Sequence, residues 1–258
     1  MNHPPAGTSR RLSHRRRALV GVGVAAAIVA AVFLVGRATA GPVPAAPPVV
    51  TEPVGAGPAA HPVVVLGASI SAGTGSTPEQ AWPAVVGRCL GRRVVVGAVP
   101  GAGYVAAGRD ARGPVARLLR EADLPRLDPS LVLLQAGHND IGTPGPQLRS
   151  AVTTAVETAH REAPRAPVAL VTVVAHAGDP SPAARATDAT IVDAARRADP
   201  RVVVLDPLAE GWSFPRVADG LHPTVAGQRL LAGHVLDDLA RAGVVGAGPC
   251  PDGATAPA

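Results

Sequence analysis

Residues able to carry out acyl transfer stand at telling positions in this chain. The stretch "ADGLHPTVAG", residues 218–227, puts Asp219 three residues before His222, with Pro223 next and an apolar-periodic run behind it. A carboxylate beside an imidazole can fix its tautomer and stabilise its protonated form, leaving the far nitrogen free to take a proton. Ser69 follows the small residues Gly67 and Ala68 at the end of an apolar stretch. A serine hydroxyl cleaves an ester or amide only with a base to take its proton and donors aimed at the developing oxyanion. His222 is the candidate base and Asp219 its carboxylate. The backbone N–H groups of Ser69 and Gly101 and the side-chain amide of Asn139 are the candidate oxyanion donors. Asp and Gly in a turn also have an ordinary explanation in turn chemistry, so the case depends on whether the fold gathers these residues.

Short apolar runs and helix-like segments alternate between residues 61 and 245. "VVVLG" at 63–67, "VVVG" at 94–97, "LVLLQ" at 131–135, "VALVTVV" at 168–174 and "RVVVLD" at 201–206 read as buried parallel strands. Between and after them, 77–90, 111–123, 145–163, 182–198 and 224–242 read as helices; Thr77, Pro78 and Gln80 supply start signals for the first. This order predicts a three-layer α/β/α sandwich around a five-stranded parallel sheet, flavodoxin-like, with right-handed crossovers. Ligands in such folds lie outside the carboxyl ends of the strands. Ser69, Gly101, Asn139 and the loop with Asp219 and His222 all follow strand ends, and so converge on one edge. Tyr104 and Trp212 fall in loops on the same edge and are candidate walls for a substrate.

Composition places the body outside the cytoplasm. Residues 1–40 hold six Arg and no acid, and the chain has no Lys at all. The remaining residues are close to neutral, so no basic footprint for nucleic acid remains. The Arg cluster at 10–17 precedes an uncharged run, 18–36, and then Ala38-Thr39-Ala40, a small-x-small cleavage signal. The run is long for a signal peptide and close to membrane-spanning length. Residues 1–40 therefore read either as a cleaved signal peptide or as an N-terminal anchor through 18–36, with the Arg cluster cytoplasmic. Residues 41–60 carry six Pro and read as a Pro/Ala-rich linker; 61–245 is the folded domain and 246–258 a tail. Cys89 and Cys250 have no metal-ligand spacing, and outside the cytoplasm they are expected to pair.

Four blocks of the body resemble, in order, those of the SGNH (GDSL-type) hydrolases, a family of esterases, lipases and acyl-carbohydrate deacylases. "GASISAG" resembles the nucleophile block, "VPGAGY" the glycine block, "GHND" the asparagine block and "DGLHP" the Asp-x-x-His block. The resemblance implies nucleophile Ser69, oxyanion donors Gly101 and Asn139, base His222 and triad acid Asp219, with no metal or cofactor. One departure stands out: Ala68 occupies the place of the family's aspartate before the serine. Asp140 reads as a brace for its loop and His138 as a loop residue. His160, His176 and His234 lack an acidic partner at a telling spacing and read as structural or exposed.

Two other classes compete. "GAGYVA" at 101–106 fits a dinucleotide-binding G-x-G-x-x-A, with Glu121 at the expected distance, but Glu121 falls inside a helix and the next strand ends in Gln135. A phosphate-cradling Walker loop needs a lysine, which the chain lacks. The other rival is a non-catalytic cell-envelope module that keeps the fold and binds glycans, favoured only by Ala68. The reading that fits best is an exported serine esterase. Short loops after strands one to four, with no lid-like apolar insertion, favour short acyl groups on carbohydrate or small soluble esters.

Overall fold

The structure is a computed structural model describing residues 49–51, 61–246 and 250. Residues 1–40, read as a signal peptide or anchor, most of the 41–60 segment and most of the tail lie outside the described residues. Among the described residues no helix is long and apolar enough to cross a membrane.

Among the described residues the sheet has six strands: β1 (Val49–Thr51), β2 (Val63–Gly67), β3 (Val94–Ala98), β4 (Leu131–Gln135), β5 (Val168–Val171) and β6 (Val203–Leu205), in the order β1-β3-β2-β4-β5-β6. Strands β2 to β6 are all parallel, as the alternation predicts. β1 is an addition that sequence reading does not provide for. It lies inside the Pro-rich segment read as a linker, and pairs antiparallel with β3 through Val49–Val96, Val50–Val95 and Thr51–Val94. The triplet VVT has high β-propensity, but only the open edge of β3 supplies its partner.

The helices are α1 (Trp82–Leu90), α2 (Val115–Ala122), the single turn α3 (Leu124–Leu127), α4 (Gly145–Glu162), α5 (Pro182–Ala198) and α6 (Val225–Arg241). Buried strand residues alternate between two cores. Val64, Leu66, Val132 and Leu134 meet α2, α4 and α5 on one face; Val63, Val65, Leu131 and Leu133 meet α1 and α6 on the other. A sheet covered on both faces explains why β2 and β4 are apolar at successive positions, not every second one.

The expected helix at 77–90 is split. Pro78–Gln80 forms a 3-10 turn, Ala81 is extended, and α1 begins at Trp82. Pro83 has no N–H to give to the carbonyl four residues back, so a continuous helix would leave Glu79 O unbonded; that oxygen instead accepts from Arg88 Nη1 at 2.9 Å. The helix expected from 111 starts four residues later, because Pro114 occupies its N-cap after a 3-10 turn at Arg109–Ala111. At the start of α6, the Thr224 hydroxyl accepts from Gly227 N at 3.1 Å, an ordinary N-cap.

From β2 the chain passes to β3 on one side and then to β4 on the other. The order reverses around β2, and that switch point opens a crevice beyond its carboxyl end. The next residue after β2 but one is Ser69.

Candidate active site

Ser69 sits on a turn tightly bound to three elements. Gly67, just before it, has no room for a side chain: a Cβ there would lie 2.6 Å from Ser71 Oγ. The buried Ser71 hydroxyl donates to Gln135 Oε1 at the end of β4, at 2.8 Å. The fully buried Gln228 of α6 donates to Ile70 O at 3.3 Å and accepts from Trp82 N at 2.9 Å, joining the serine turn to α6 and α1. Nothing in the spacing of Gln228 or Ser71 marked either residue beforehand. Their role exists only when the two ends of the domain meet.

The Asp219–His222 loop approaches the same point from after β6. His222 Nδ1 donates to Asp219 Oδ2 at 2.6 Å, and the other carboxylate oxygen accepts from Leu221 N at 2.8 Å and His222 N at 2.9 Å. These bonds, the imidazole's first and then the two backbone ones, hold the Asp219 carboxyl well below its usual range. With its proton on Nδ1, neutral His222 presents a lone pair on Nε2, and the Ser69 hydroxyl donates to it at 2.7 Å. Ser69 and His222 are 153 residues apart in sequence. The structure thus brings Asp219, His222 and Ser69 into one file.

Asn139 and Gly101 lie in the loops after β4 and β3, the strands on either side of β2. Asn139 Nδ2 donates to Ala102 O at 2.8 Å, which leaves its second amide hydrogen available. The N–H groups of Ser69 and Gly101 enter no hydrogen bond among the described residues. Asp140 carries out the bracing expected of it. Its completely buried carboxylate accepts from three successive backbone N–H groups, Tyr104 at 2.7 Å, Val105 at 2.9 Å and Ala106 at 3.0 Å. Gly103 is a glycine because a Cβ there would lie 2.4 Å from that carboxylate. Ala68 is buried, with 3% exposure.

Tyr104 and Trp212 do not wall this site. Tyr104 is 2% exposed and belongs to the core under α2 and α4, where burial, and then the Asp140 charge, push its phenol above the usual range. Trp212 is 7% exposed and stacks on His234 of α6 with ring centroids 4.9 Å apart. In a chain with only 2% aromatics, the large rings are taken up as core filling. His160 has an acidic partner after all, Asp199, with Nδ1 to Oδ2 at 3.2 Å, on the far side of α5 in sequence. His138, read as a loop residue, and His176 lie edge-to-face with centroids 5.1 Å apart. Sequence spacing gave no hint of this pairing, since the two histidines follow different strands.

A hydroxyl, an imidazole and a carboxylate in hydrogen-bonded file at the carboxyl edge of a doubly wound sheet are the equipment of a serine hydrolase. Comparison with known proteins narrows the class. The model of the GDSL-like Lipase/Acylhydrolase family matches residues 65–230, and the chain belongs to that family. It is an ester-hydrolysing serine hydrolase. Among solved structures, one titled TesA is 25% identical, covering 70% of this chain and 99% of its own, with a TM-score of 0.55. A carbohydrate esterase family 2 enzyme with a carbohydrate-binding domain, from Corynascus thermopiles (Myceliophthora fergusii), is 20% identical over 72% of this chain and 68% of its own, with a TM-score of 0.59. A family two carbohydrate esterase from Clostridium thermocellum, in complex with cellohexaose, is 15% identical over 76% and 67%, with a TM-score of 0.57. At these lower identities the likeness is one of fold. Among curated proteins no relative matches the sequence.

Proposed function

We propose that this chain is an exported serine esterase that removes short acyl groups from carbohydrate or small soluble esters, using Ser69, His222 and Asp219. The observation that carries the catalytic reading is the unbroken file from Asp219 to His222 to Ser69, with contacts of 2.6 and 2.7 Å. Ser69 Oγ attacks the ester carbonyl while its proton passes to His222 Nε2. Charge developing on the carbonyl oxygen is met by the N–H groups of Ser69 and Gly101 and the free amide hydrogen of Asn139. The tetrahedral adduct expels the alcohol, which takes the proton back from His222, and Ser69 is left acylated. Water then repeats the sequence through the same base and frees the acid. The scheme needs no metal or cofactor.

The reading of an exported protein rests on the Arg cluster, the uncharged run at 18–36 and the Ala38-Thr39-Ala40 site. A disulfide between Cys89 and Cys250 suits an oxidising compartment. Cleavage near Ala40 and anchoring through 18–36 both deliver the domain to the same side. For the substrate, the support is the absence of an apolar insertion in the sequence and the carbohydrate esterases among the structural neighbours.

Ala68 favours a second reading, a glycan-binding module without turnover. One experiment separates the two. The full chain and its Ser69→Ala variant are assayed on aryl esters from acetyl to octanoyl, alongside fluorophosphonate labelling. The esterase reading expects Ser69-dependent turnover, highest at the short chains, a label on Ser69, and little gain in Ala68→Asp. Activity no higher than Ser69→Ala on every ester, with activity regained in Ala68→Asp, establishes the binding module.

A further inference from the structure

His138 and His176 form a two-histidine wall that the mechanism above does not use. They come from the loops after β4 and β5, with ring centroids 5.1 Å apart and planes inclined by 66°. The wall adjoins the triad loop: Ala177 N donates to Gly220 O at 2.7 Å, directly beside Asp219. His138 Nδ1 lies 2.9 Å from Val174 O. A carbonyl oxygen only accepts, so Nδ1 must carry the proton, and neutral His138 has its lone pair on Nε2. That nitrogen has no protein partner among the described residues and is not sealed from water. Burial holds His138 below the usual histidine range, against the raising effect of its bond to Val174 O, and the neighbouring His176 and His222 add to the lowering.

A lone pair in this position cannot hold an oxyanion, which needs donors. Nor does His138 have a carboxylate to make it a second base. It calls for a ligand with an O–H to donate. The leaving alcohol recovers its proton from His222 Nε2, so that alcohol departs on the imidazole side of the site. Hydroxyls next to the ester oxygen leave with that alcohol, and the loop that carries the imidazole is the one the wall adjoins, a Cβ at Gly220 lying 3.8 Å from His176 Nδ1.

We propose that His138, through Nε2, is a specificity-determining residue that accepts a hydrogen bond from a free hydroxyl neighbouring the ester oxygen, selecting acyl esters of polyols and sugars over esters of simple alcohols. This deepens the esterase reading and rests on it.

The test uses the full chain and three acetates: a methyl glycoside monoacetate with free neighbouring hydroxyls, the same compound O-methylated, and p-nitrophenyl acetate. All three give the same acetyl-enzyme, so an effect on deacylation is common to them, and kcat/KM isolates the alcohol part. His138→Asn retains a side-chain donor for Val174 O but has no counterpart of Nε2. Wild type should prefer the free glycoside acetate over its methylated form by roughly 10-fold, the scale of one hydrogen bond. His138→Asn should abolish that preference, losing several-fold more kcat/KM on the free glycoside than on the aryl acetate, with Tm within a few degrees of wild type. His176→Ala should erode the preference less. Equal losses on all three acetates, or a preference that survives in His138→Asn, overturn the proposal. So does Ser69-dependent hydrolysis of the aryl acetate with no turnover of either glycoside, which leaves the serine esterase standing. If even the aryl acetate is turned over no faster than by Ser69→Ala, the esterase reading itself fails.

Discussion

In the proposed mechanism Ser69, His222 and Asp219 act on one proton, so their removal should not add. Ser69→Ala and His222→Ala are each expected to lower kcat by several orders of magnitude, and the double variant little further. Losses that add in the logarithm of the rate would argue against a shared proton transfer. Asn139→Ala should cost roughly 10²–10³ in kcat, the usual loss of one oxyanion donor, with KM nearly unchanged; a rise in KM alone makes Asn139 a ground-state contact. Asp219 adds a pH signature. Its folded carboxyl titrates below its ordinary value of 3.8, so the unfolded chain holds that proton more tightly. The stability it contributes is complete above the ordinary value and is lost as pH falls through the depressed one. Asp219→Asn should therefore flatten the acid limb of a plot of Tm against pH, and an unchanged limb would contradict the bonds assigned to the carboxylate.

Between residue and domain stand the loops and edges that position this chemistry. Asp140 ties the loop after β3 to the loop after β4 through three N–H bonds, and Asn139 adds a fourth link to Ala102 O. Asp140→Asn turns one acceptor into a donor facing other donors. An unsatisfied buried group costs about 1–3 kcal/mol, and displacement of Gly101 and Asn139 should slow kcat roughly 10- to 100-fold. Thermal melting and kcat measured together decide the point: a lower Tm with kcat intact would make Asp140 a structural brace only. At the sheet margin, β1 covers the edge of β3. A variant chain beginning at residue 61 leaves that edge open for pairing with a second copy. It should self-associate more at high concentration than one beginning at residue 45, as light scattering would show; equal behaviour would mean that β1 protects nothing.

Across the whole molecule, chemistry and stapling occupy opposite ends. The triad lies beyond the carboxyl ends of the strands. Cys89, in the last turn of α1, borders a 300 Å³ cavity at their amino ends, near Val63 and Leu131. Its disulfide to Cys250 spans 161 residues, for which chain entropy sets an upper bound of roughly 4–5 kcal/mol. Reduction should therefore lower Tm by at most about 20 °C, at roughly 2–4 °C per kcal/mol. Measured well below the melting range, kcat should stay within about twofold, because the serine turn is joined to α1 at its first residue, through Trp82 N and Gln228, and Cys89 lies at the helix's far end. A large loss of kcat at constant secondary structure would show that the staple reaches the site.

Local patterning alone carries the alternation of elements, the parallel sheet and the small set of residues falling after strand ends. Apolar runs and start signals are local, and strand-end positions follow from topology alone. From those positions follow the candidates Ser69, Gly101, Asn139, Asp219 and His222, of which the fold brings Ser69, His222 and Asp219 into contact. Interactions that depend on direction were not legible in the sequence. Tyr104 and Trp212 sit in the expected loops, yet their rings turn inward, because a core poor in aromatics takes up the largest apolar surface available. β1 was invisible because a strand of three residues is defined by its partner, here the free edge of β3. Gln228, Ser71 and the pairing of His138 with His176 escaped for the same reason. Each depends on a contact between residues far apart in sequence, and only packing two helical layers onto one sheet brings such residues within hydrogen-bonding or ring-contact distance.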